Sequence, residues 1–457
     1  MTTAARQRAR TFFSAHPART VVFSFAGAVA LGTVLLMLPA AAQDGAATSP
    51  LIALFTSTSA VCVTGLAVVD TGTYWSGFGE GVILALIQIG GFGIMTLASI
   101  LALLVSGRLR LRLQLTVQAE TKSLGIGDVR RVLLGVAGTT LMVELAVGAV
   151  LALRIRFGYG EGIGTSAYLG LFHAVSAFNN AGFGLHADNL TRYAQDPWII
   201  LPIAVAVILG GIGFPVLLEA LRHRHRARTT GRRNWTLHTK LTVATSAALL
   251  AIGTLLTGLL EWSNPATLGA HDVGGKLLDS FFHSAVSRTA GFNSLDIGAL
   301  HASTLLMTCM LMFVGGGSAG TAGGIKVTTF AVLAAAILAE VRGETHSVVL
   351  GRRLAPQVLR QALTVALLGV GLVMAATLAL LSVSEAAFEA VIFEVVSAFA
   401  TVGLSTGITA ELPGIGQLVL VALMFIGRIG PITLVSALAL RERTRRYELP
   451  EERPVIG

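Results

Sequence analysis

Eight stretches of this chain are apolar over about the length a helix needs to cross a bilayer, roughly 20 residues. They lie at 20–38, 81–105, 132–153, 198–220, 241–260, 301–341, 357–382 and 415–440. Between the members of each successive pair lies a further apolar segment too short to cross, at 51–62, 168–179, 278–288 and 387–399. Runs of that length fit re-entrant or buried helices. Composition agrees with a chain that keeps most of its surface in lipid. Hydrophobic residues make up 54% and charged residues 12%, against roughly 25% charged in a typical soluble domain. A cytosolic enzyme and a disordered chain are both excluded. The expected fold class is an all-α polytopic membrane protein with eight spans and four re-entrant pore loops.

The first run, Thr20 to Leu38, follows four arginines and imitates a signal peptide. Its length exceeds the usual apolar core of roughly 7–15 residues, so it reads as a retained span. Lys and Arg are unevenly spread. Four lie within residues 1–20, six within 106–131, seven within 221–240, four within 342–360 and five from 441 onward. The intervening regions hold five: Arg154, Arg156, Arg192, Lys276 and Arg288. The positive-inside rule then places both termini and the basic loops in the cytoplasm of a cell-membrane protein. The short apolar segments must enter from the outside. The net charge of +9 reflects those loops rather than a nucleic-acid surface. Cys62 and Cys309 lie in apolar stretches and read as small hydrophobes.

The four short segments resemble one another. Phe55–Gly65, Phe172–Gly182, Phe281–Gly291 and Phe393–Gly403 each place Phe and Gly ten residues apart. Three carry Ser-Ala at one offset: Ser59-Ala60, Ser176-Ala177 and Ser397-Ala398. The glycines are 117, 109 and 112 residues apart. This is a fourfold internal repeat of span, dip, span. Its units are 20–108 with pore loop 51–70, 109–235 with 168–189, 236–345 with 278–296, and 346–440 with 387–407. The cytoplasmic ends are 1–19 and 441–457. Each second span carries a glycine cluster, beginning at Gly90, Gly210, Gly315 and Gly427. The first two read as small residues for close helix packing.

Each unit starts and ends inside, so the four are parallel, and inverted-repeat alternating access is disfavoured. Parallel units arranged about the membrane normal bring four dips to one axis and build a pore. Non-helical backbone at membrane depth is tolerated only where protein buries it or water wets it. The candidate filter strips are Val63-Thr64-Gly65, Asn180-Ala181-Gly182, Thr289-Ala290-Gly291 and Thr401-Val402-Gly403. They contain no acidic side chain. A cation bound mainly by neutral carbonyls points to potassium as substrate, with no cofactor in this chain. Asn179 and Asn180 either brace the filter or cap the short helix. Asp44, Asp70, Glu80, Asp188, Asp196, Asp272, Asp279, Asp296 and Glu411 line the outside loops. They read as ordinary solvated charges that could also gather cations.

The sixth run holds Gly315-Gly316-Gly317-Ser318-Ala319-Gly320-Thr321-Ala322-Gly323-Gly324, ending at Lys326. At about 1 kcal/mol per glycine this cannot be a helix interior. Gly315 to Gly320 also reads G-x-G-x-x-G, but a dinucleotide site needs a preceding strand and a βαβ unit. Arg428 sits within the last span. A charge there costs about 2.5 kcal/mol or more and is a functional hypothesis by default. It faces the pore below the filter or pairs with a carboxylate such as Glu144. Lys326 either reaches the interface or holds the glycine-rich loop. His223 and His225 stand among arginines, where a metal site is disfavoured.

These residues resemble the Trk/Ktr/HKT superfamily of potassium-uptake proteins, and within it the bacterial Ktr-type membrane subunits. The segments "TSTSAVCVTGLAVVDTGTYWS", "HAVSAFNNAGFGL", "SRTAGFNSLD" and "SAFATVGLSTG" are similar to its four pore loops. "RGETHSVVLGRRL" is similar to the cytoplasmic stretch before its fourth repeat. The resemblance covers about residues 18–445. It implies a homodimer with one pore per protomer and a cytoplasmic ring of nucleotide-binding RCK subunits (KtrA-like) that gates transport. It implies that the loop 315–326 is an intramembrane gate under the filter and that an arginine belongs at position 428. Gly65, at a position where plant relatives that favour sodium carry Ser, implies potassium preference. The expected function is potassium uptake, driven by a membrane potential worth about 2.3 kcal/mol per charge per 100 mV. The rival on the same fold is a sodium-coupled symporter or a sodium-permeable relative. An enzyme is disfavoured because no nucleophile–base set recurs. A scaffold with a dead pore is disfavoured by the four intact glycines.

Overall fold

The computed structural model describes residues 17–93, 129–221, 235–344 and 346–430. The loops around His223 and His225, the distal parts of the 81–105 and 415–440 runs, and the two chain ends lie outside the described residues.

Each repeat opens with a long apolar helix. These are α1 (Pro17–Leu36), α4 (Val129–Gly158), α8 (Leu237–Glu261) and α12 (Pro356–Leu381). All four are long and apolar enough to cross a membrane, and only 11–33% of each such window is buried inside the protein. Their outward faces are therefore suited to lipid.

Each long helix is followed by a short one: α2 (Pro50–Cys62), α5 (Ile163–Phe178), α9 (Val273–Val286) and α13 (Phe388–Ala400). Their starts are encoded locally. Pro50 occupies the first turn of α2, where a missing N–H is harmless, and Ser49 caps it. Asp272 accepts a hydrogen bond from Gly275 N at the start of α9. Their ends are wholly interior. Phe55 to Cys62, Phe172 to Phe178 and Phe393 to Ala400 are buried on every side, as a helix surrounded by other helices must be.

The second helices are shorter or broken. They are α3 (Gly77–Phe92), the pair α6 (Pro197–Gly211) and α7 (Phe214–Leu221), the pair α10 (Ala302–Phe313) and α11 (Val327–Val341), and α14 (Gly414–Ile429). The fourth apolar run is not one straight span. It bends by 101° between α6 and α7, at Gly213, whose φ is +99°. The sixth run is interrupted, as the glycines predict, by a non-helical loop between α10 and α11.

Among the described residues, one element departs from the all-α expectation. Val348–Val349 and Arg352–Arg353 pair as an antiparallel hairpin. Leu350 and Gly351 both have positive φ, which a tight two-residue hairpin turn requires.

Among the described residues, the core forms two large clusters. One joins α1 to α6 around Phe172, Phe178 and Ile203, and reaches Phe282 on α9. The other joins α10, α12, α13 and α14 around Phe393, Phe399 and Leu420, and reaches back to Phe55 on α2. The short helices thus tie neighbouring repeats together.

Candidate ion pathway

The four strips form a closed ring in chain order. A Cβ placed on Gly65 would collide with Ala181 O, and one on Gly182 would lie 2.5 Å from Gly291 N. One on Gly291 would lie 2.6 Å from the carbonyl carbon of Gly403, and one on Gly403 would collide with Thr64 O. Each glycine therefore abuts the next strip, and the fourth abuts the first. Backbone this close leaves no room for a side chain, so glycine is required by packing.

Three strips share one turn. Val63, Asn180 and Thr401, two residues before each ring glycine, are left-handed with φ of 57°, 60° and 50°. The glycines Gly65, Gly182 and Gly403 also have positive φ. Paired backbone bonds close each turn: Val63 N to Ala60 O (3.1 Å) with Thr64 N to Ser59 O (2.8 Å), and the equivalents at Asn180-Ala181 and Thr401-Val402. This is the usual end of a helix at a left-handed residue. For the β-branched Val63 and Thr401 the conformation costs about 1–2 kcal/mol. The recurring serine offsets it. Ser59 Oγ accepts from Gly65 N and Ser397 Oγ from Gly403 N, both at 3.0 Å. Ser176 Oγ donates to Phe183 O at 2.8 Å.

The third strip is built differently. Ala285 stands where the others have serine, and Thr289 and Ala290 both donate to Val286 O (3.0 and 2.8 Å). Neither Thr289 nor Gly291 has positive φ. Arg288, counted from sequence as an outside charge, is 6% exposed at this turn, and its Nε has no hydrogen-bond partner.

Second helices back the ring. Gly90, Gly210 and Gly427 lie directly on the carbonyls of Val61, Phe178 and Phe399, leaving no space for a Cβ. The packing expectation for the first two clusters holds for these glycines, but both clusters do more. The carbonyls of Gly210 and Gly211 accept from the glycine-rich loop, and Gly90 O accepts from Arg428.

The two asparagines differ: Asn179 bonds its own helix end and two neighbouring helices, and Asn180 reaches the third strip. Asn179 Nδ2 donates to Gln88 Oε1 (2.9 Å), Glu144 Oε1 (3.0 Å) and Val175 O (2.9 Å). Asn180 Nδ2 donates to Val207 O (3.2 Å) and Thr289 Oγ1 (2.5 Å). Beyond the ring, Asn189 Nδ2 donates to Gly182 O (3.3 Å). The buried Glu394 accepts from Ser405 Oγ, Thr406 N and Thr409 Oγ1, holding the chain that leaves strip four. Neither Asn189 nor Glu394 was singled out from sequence, because nothing local marks their partners.

The loop 315–326 packs against the strip ends. Gly315 N donates to Ile325 O (2.8 Å) and Val327 N to Gly316 O (3.1 Å), closing its base. Gly317 N donates to Gly211 O (2.8 Å), Thr321 N to Gly210 O (3.3 Å), and Phe214 N to Ala319 O (3.2 Å). These bonds set the loop against the end of α6 and the start of α7, at the bend. Ser318 Oγ meets Thr328 Oγ1 at 3.1 Å. Gly320 lies beside the carbonyls of Gly210 and Gly211, Gly323 lies against Ala400 and Thr401, and Gly324 against Ala400. Lys326 Nζ donates to Ala322 O (2.5 Å), which binds the loop to itself. Arg428 donates to Thr321 O and to Gly90 O. It thereby joins the loop to the first repeat, while Glu144 is engaged by Asn179 and Gln88.

Most of the outer acidic residues are structural. Asp188 pairs with Arg192 (2.7 Å), Asp196 with Arg154 (2.7 Å) and Asp279 with His271 (2.7 Å). Partial burial would raise the Asp188 pKa, but the Arg192 hydrogen bond and charge outweigh it and hold it below the ordinary value. Asp272 and Asp296 cap helix starts.

A chain with several helices long and apolar enough to cross a membrane, and four short helices that end at one ring of close backbone contacts, belongs to the class of membrane transport proteins. The family model for TrkH, described as cation transport protein, matches residues 3–445. The chain belongs to this family. Ktr system potassium uptake protein B of Bacillus subtilis is 40% identical over 437 residues, which is 94% of this chain and 95% of that protein. The protein of the same name in Vibrio alginolyticus is 38% identical, covering 96% and 94%. The potassium/sodium uptake protein NtpJ of Enterococcus hirae is 33% identical, covering 96% and 97%. The crystal structure of the potassium transporter TrkH from Vibrio parahaemolyticus matches with a TM-score of 0.72 at 17% identity, over 92% of this chain and 84% of that one.

Proposed function

We propose that this chain is the membrane-embedded, potassium-translocating subunit of an uptake system. One ring of four strips selects the ion, mainly through the backbone carbonyls of Val63 to Gly65, Asn180 to Gly182, Thr289 to Gly291 and Thr401 to Gly403. The observation that carries this reading is the closed ring of glycine contacts. Rings of carbonyls replace an ion's hydration shell, and short helices with their C-terminal ends toward the ring favour a cation. The names of the relatives at 40% and 38% identity support potassium and a multi-component system.

The loop 315–326 is the gate, latched by Arg428. Its contacts with the starts of strips two and four support an obstruction beside the ring. The arrangement around the pore is eight spans in four repeats, with both termini cytoplasmic. The working form is a homodimer with a cytoplasmic RCK-type ring that moves the gate by binding its open and closed forms with different affinity. A 100 mV potential alone sustains roughly 50-fold accumulation, so no ATP hydrolysis is required of this chain. The potassium/sodium relative favours a second reading, a sodium-permeable or sodium-coupled transporter on the same fold.

The test is cation flux into liposomes holding the purified protein, under an inside-negative potential. Potassium should enter faster than sodium, and Gly182→Ser should weaken that preference. Deleting residues 317–322, or Arg428→Ala, should raise basal flux. Equal entry of the two ions would remove the potassium reading. Unchanged flux in a well-folded deletion variant would remove the gate.

A further inference from the structure

The third strip lacks what positions the others. It has Ala285 in place of the bracing serine and no left-handed residue. Among the described residues, its one side-chain anchor to another repeat is the Asn180 amide, which donates to Thr289 Oγ1 at 2.5 Å. The orientation of that amide is determined by chemistry. Val207 O can only accept, so Nδ2 must face it. Oδ1 then faces the loop, where Thr321 Oγ1 donates to it at 2.7 Å. Arg428 in turn donates to Thr321 O.

We infer that Asn180 is a positioning residue shared by filter and gate: its amide braces the third strip in trans, and the same amide is the catch on which the loop docks. This rests on the gate reading above. The hydrogen bonds run in one chain from the Thr321 hydroxyl through the Asn180 amide to Thr289 Oγ1, and such chains polarise and reinforce one another, while Arg428 holds Thr321 separately through its backbone carbonyl. Asn180 is suited to both duties. Asn accepts a left-handed backbone more readily than other non-glycine residues, and its amide uses both donor and acceptor ends at once. The consequence is coupling. Loosening the third strip weakens the catch, and the strip that sets ion preference also sets how firmly the gate closes.

The test uses full-length protein in liposomes, with potassium and sodium as the probes. Two quantities are read: basal potassium flux and the potassium-to-sodium ratio of initial rates. Thr321→Val removes the hydroxyl at nearly constant volume. It should raise basal flux about three- to tenfold, the worth of one hydrogen bond, and leave the ratio unchanged, because the open loop no longer touches Asn180. Thr321→Ser should behave as wild type. Thr289→Val should both lower the ratio and raise basal flux by similar factors. The double variant should show no more flux than the greater of the two singles. Multiplied effects in the double variant would overturn the coupling, as would a Thr289→Val that lowers the ratio with normal basal flux. If the 317–322 deletion raises flux while Thr321→Val does not, the gate stands and the shared catch falls. If neither raises flux, the gate reading itself has failed and the catch falls with it.

Discussion

The third strip of the backbone ring and the other three end their short helices in different ways. Strips one, two and four end their short helices in a left-handed turn, and a serine six residues before the ring glycine ties the turn down. Strip three has neither device, and it carries a buried Arg288 with an unpartnered Nε. It reaches the ring by a tighter pair of bonds to Val286 O and is held from the neighbouring repeat. It is also the strip whose own second span is opened into a glycine-rich loop. The difference teaches that a fourfold sequence repeat need not give four equivalent quarters. The quarter that lends its span to the loop relies on its neighbour for support.

The comparison can be broken most strongly at the glycines. Gly403→Ala meets both a positive φ of 97° and backbone of strip one. Gly291→Ala meets only the backbone of strip four. Both should lose selective flux, and Gly403→Ala should lose more, by roughly the further 1 kcal/mol of a left-handed residue, about fivefold. Equal losses would mean that close approach alone governs the ring. A smaller effect is expected from Ser397→Ala, which leaves the buried Gly403 N–H unpaired at about 1–3 kcal/mol. A lower melting temperature and a reduced potassium-to-sodium ratio would bear that out. Ala285→Ser, at the matching place in repeat three, should give no gain in either quantity, because the turn there is different. A gain would show that strip three can adopt the common turn. The smallest effect belongs to Arg192→Ala at the outer mouth. Its pair with Asp188 is half exposed, and such pairs contribute about 0–1 kcal/mol. Flux should change less than twofold. Because the Asp188 pKa is depressed in the folded state, this small contribution is present above its unfolded pKa and fades as pH falls through the folded one. A stability difference between wild type and Arg192→Ala that grows on acidification would contradict it.

Much of the layout was legible in the residues. Apolar run length marked the long helices, and the Phe–Gly spacing marked the four short ones. The glycines of 315–324 marked a break in the sixth run. Other features were visible as symbols without their meaning. The Ser-Ala pairs stood out as a repeat signature, but that Ser59 and Ser397 accept from ring glycines is a fact of folded geometry. The cluster at Gly210 read as a packing surface. It also ends a helix, because the loop from repeat three docks on its carbonyls. Left-handed Val63 and Thr401 contradict the local preference of β-branched residues, and nothing in a single sequence predicts them.

By itself, then, the sequence determined that this chain carries helices long and apolar enough to cross a membrane, and that four Phe–Gly segments recur along it. Those are properties of composition and spacing, and they follow from the cost of placing backbone and charge in hydrocarbon. Only the tertiary structure decided that the four strips close into one ring, that Asn180 reaches Thr289 across 109 positions, and that Arg428 grips carbonyls 107 and 338 positions away. Hydrogen bonds between distant segments depend on where the helices pack, and packing is settled by the whole set of buried surfaces at once.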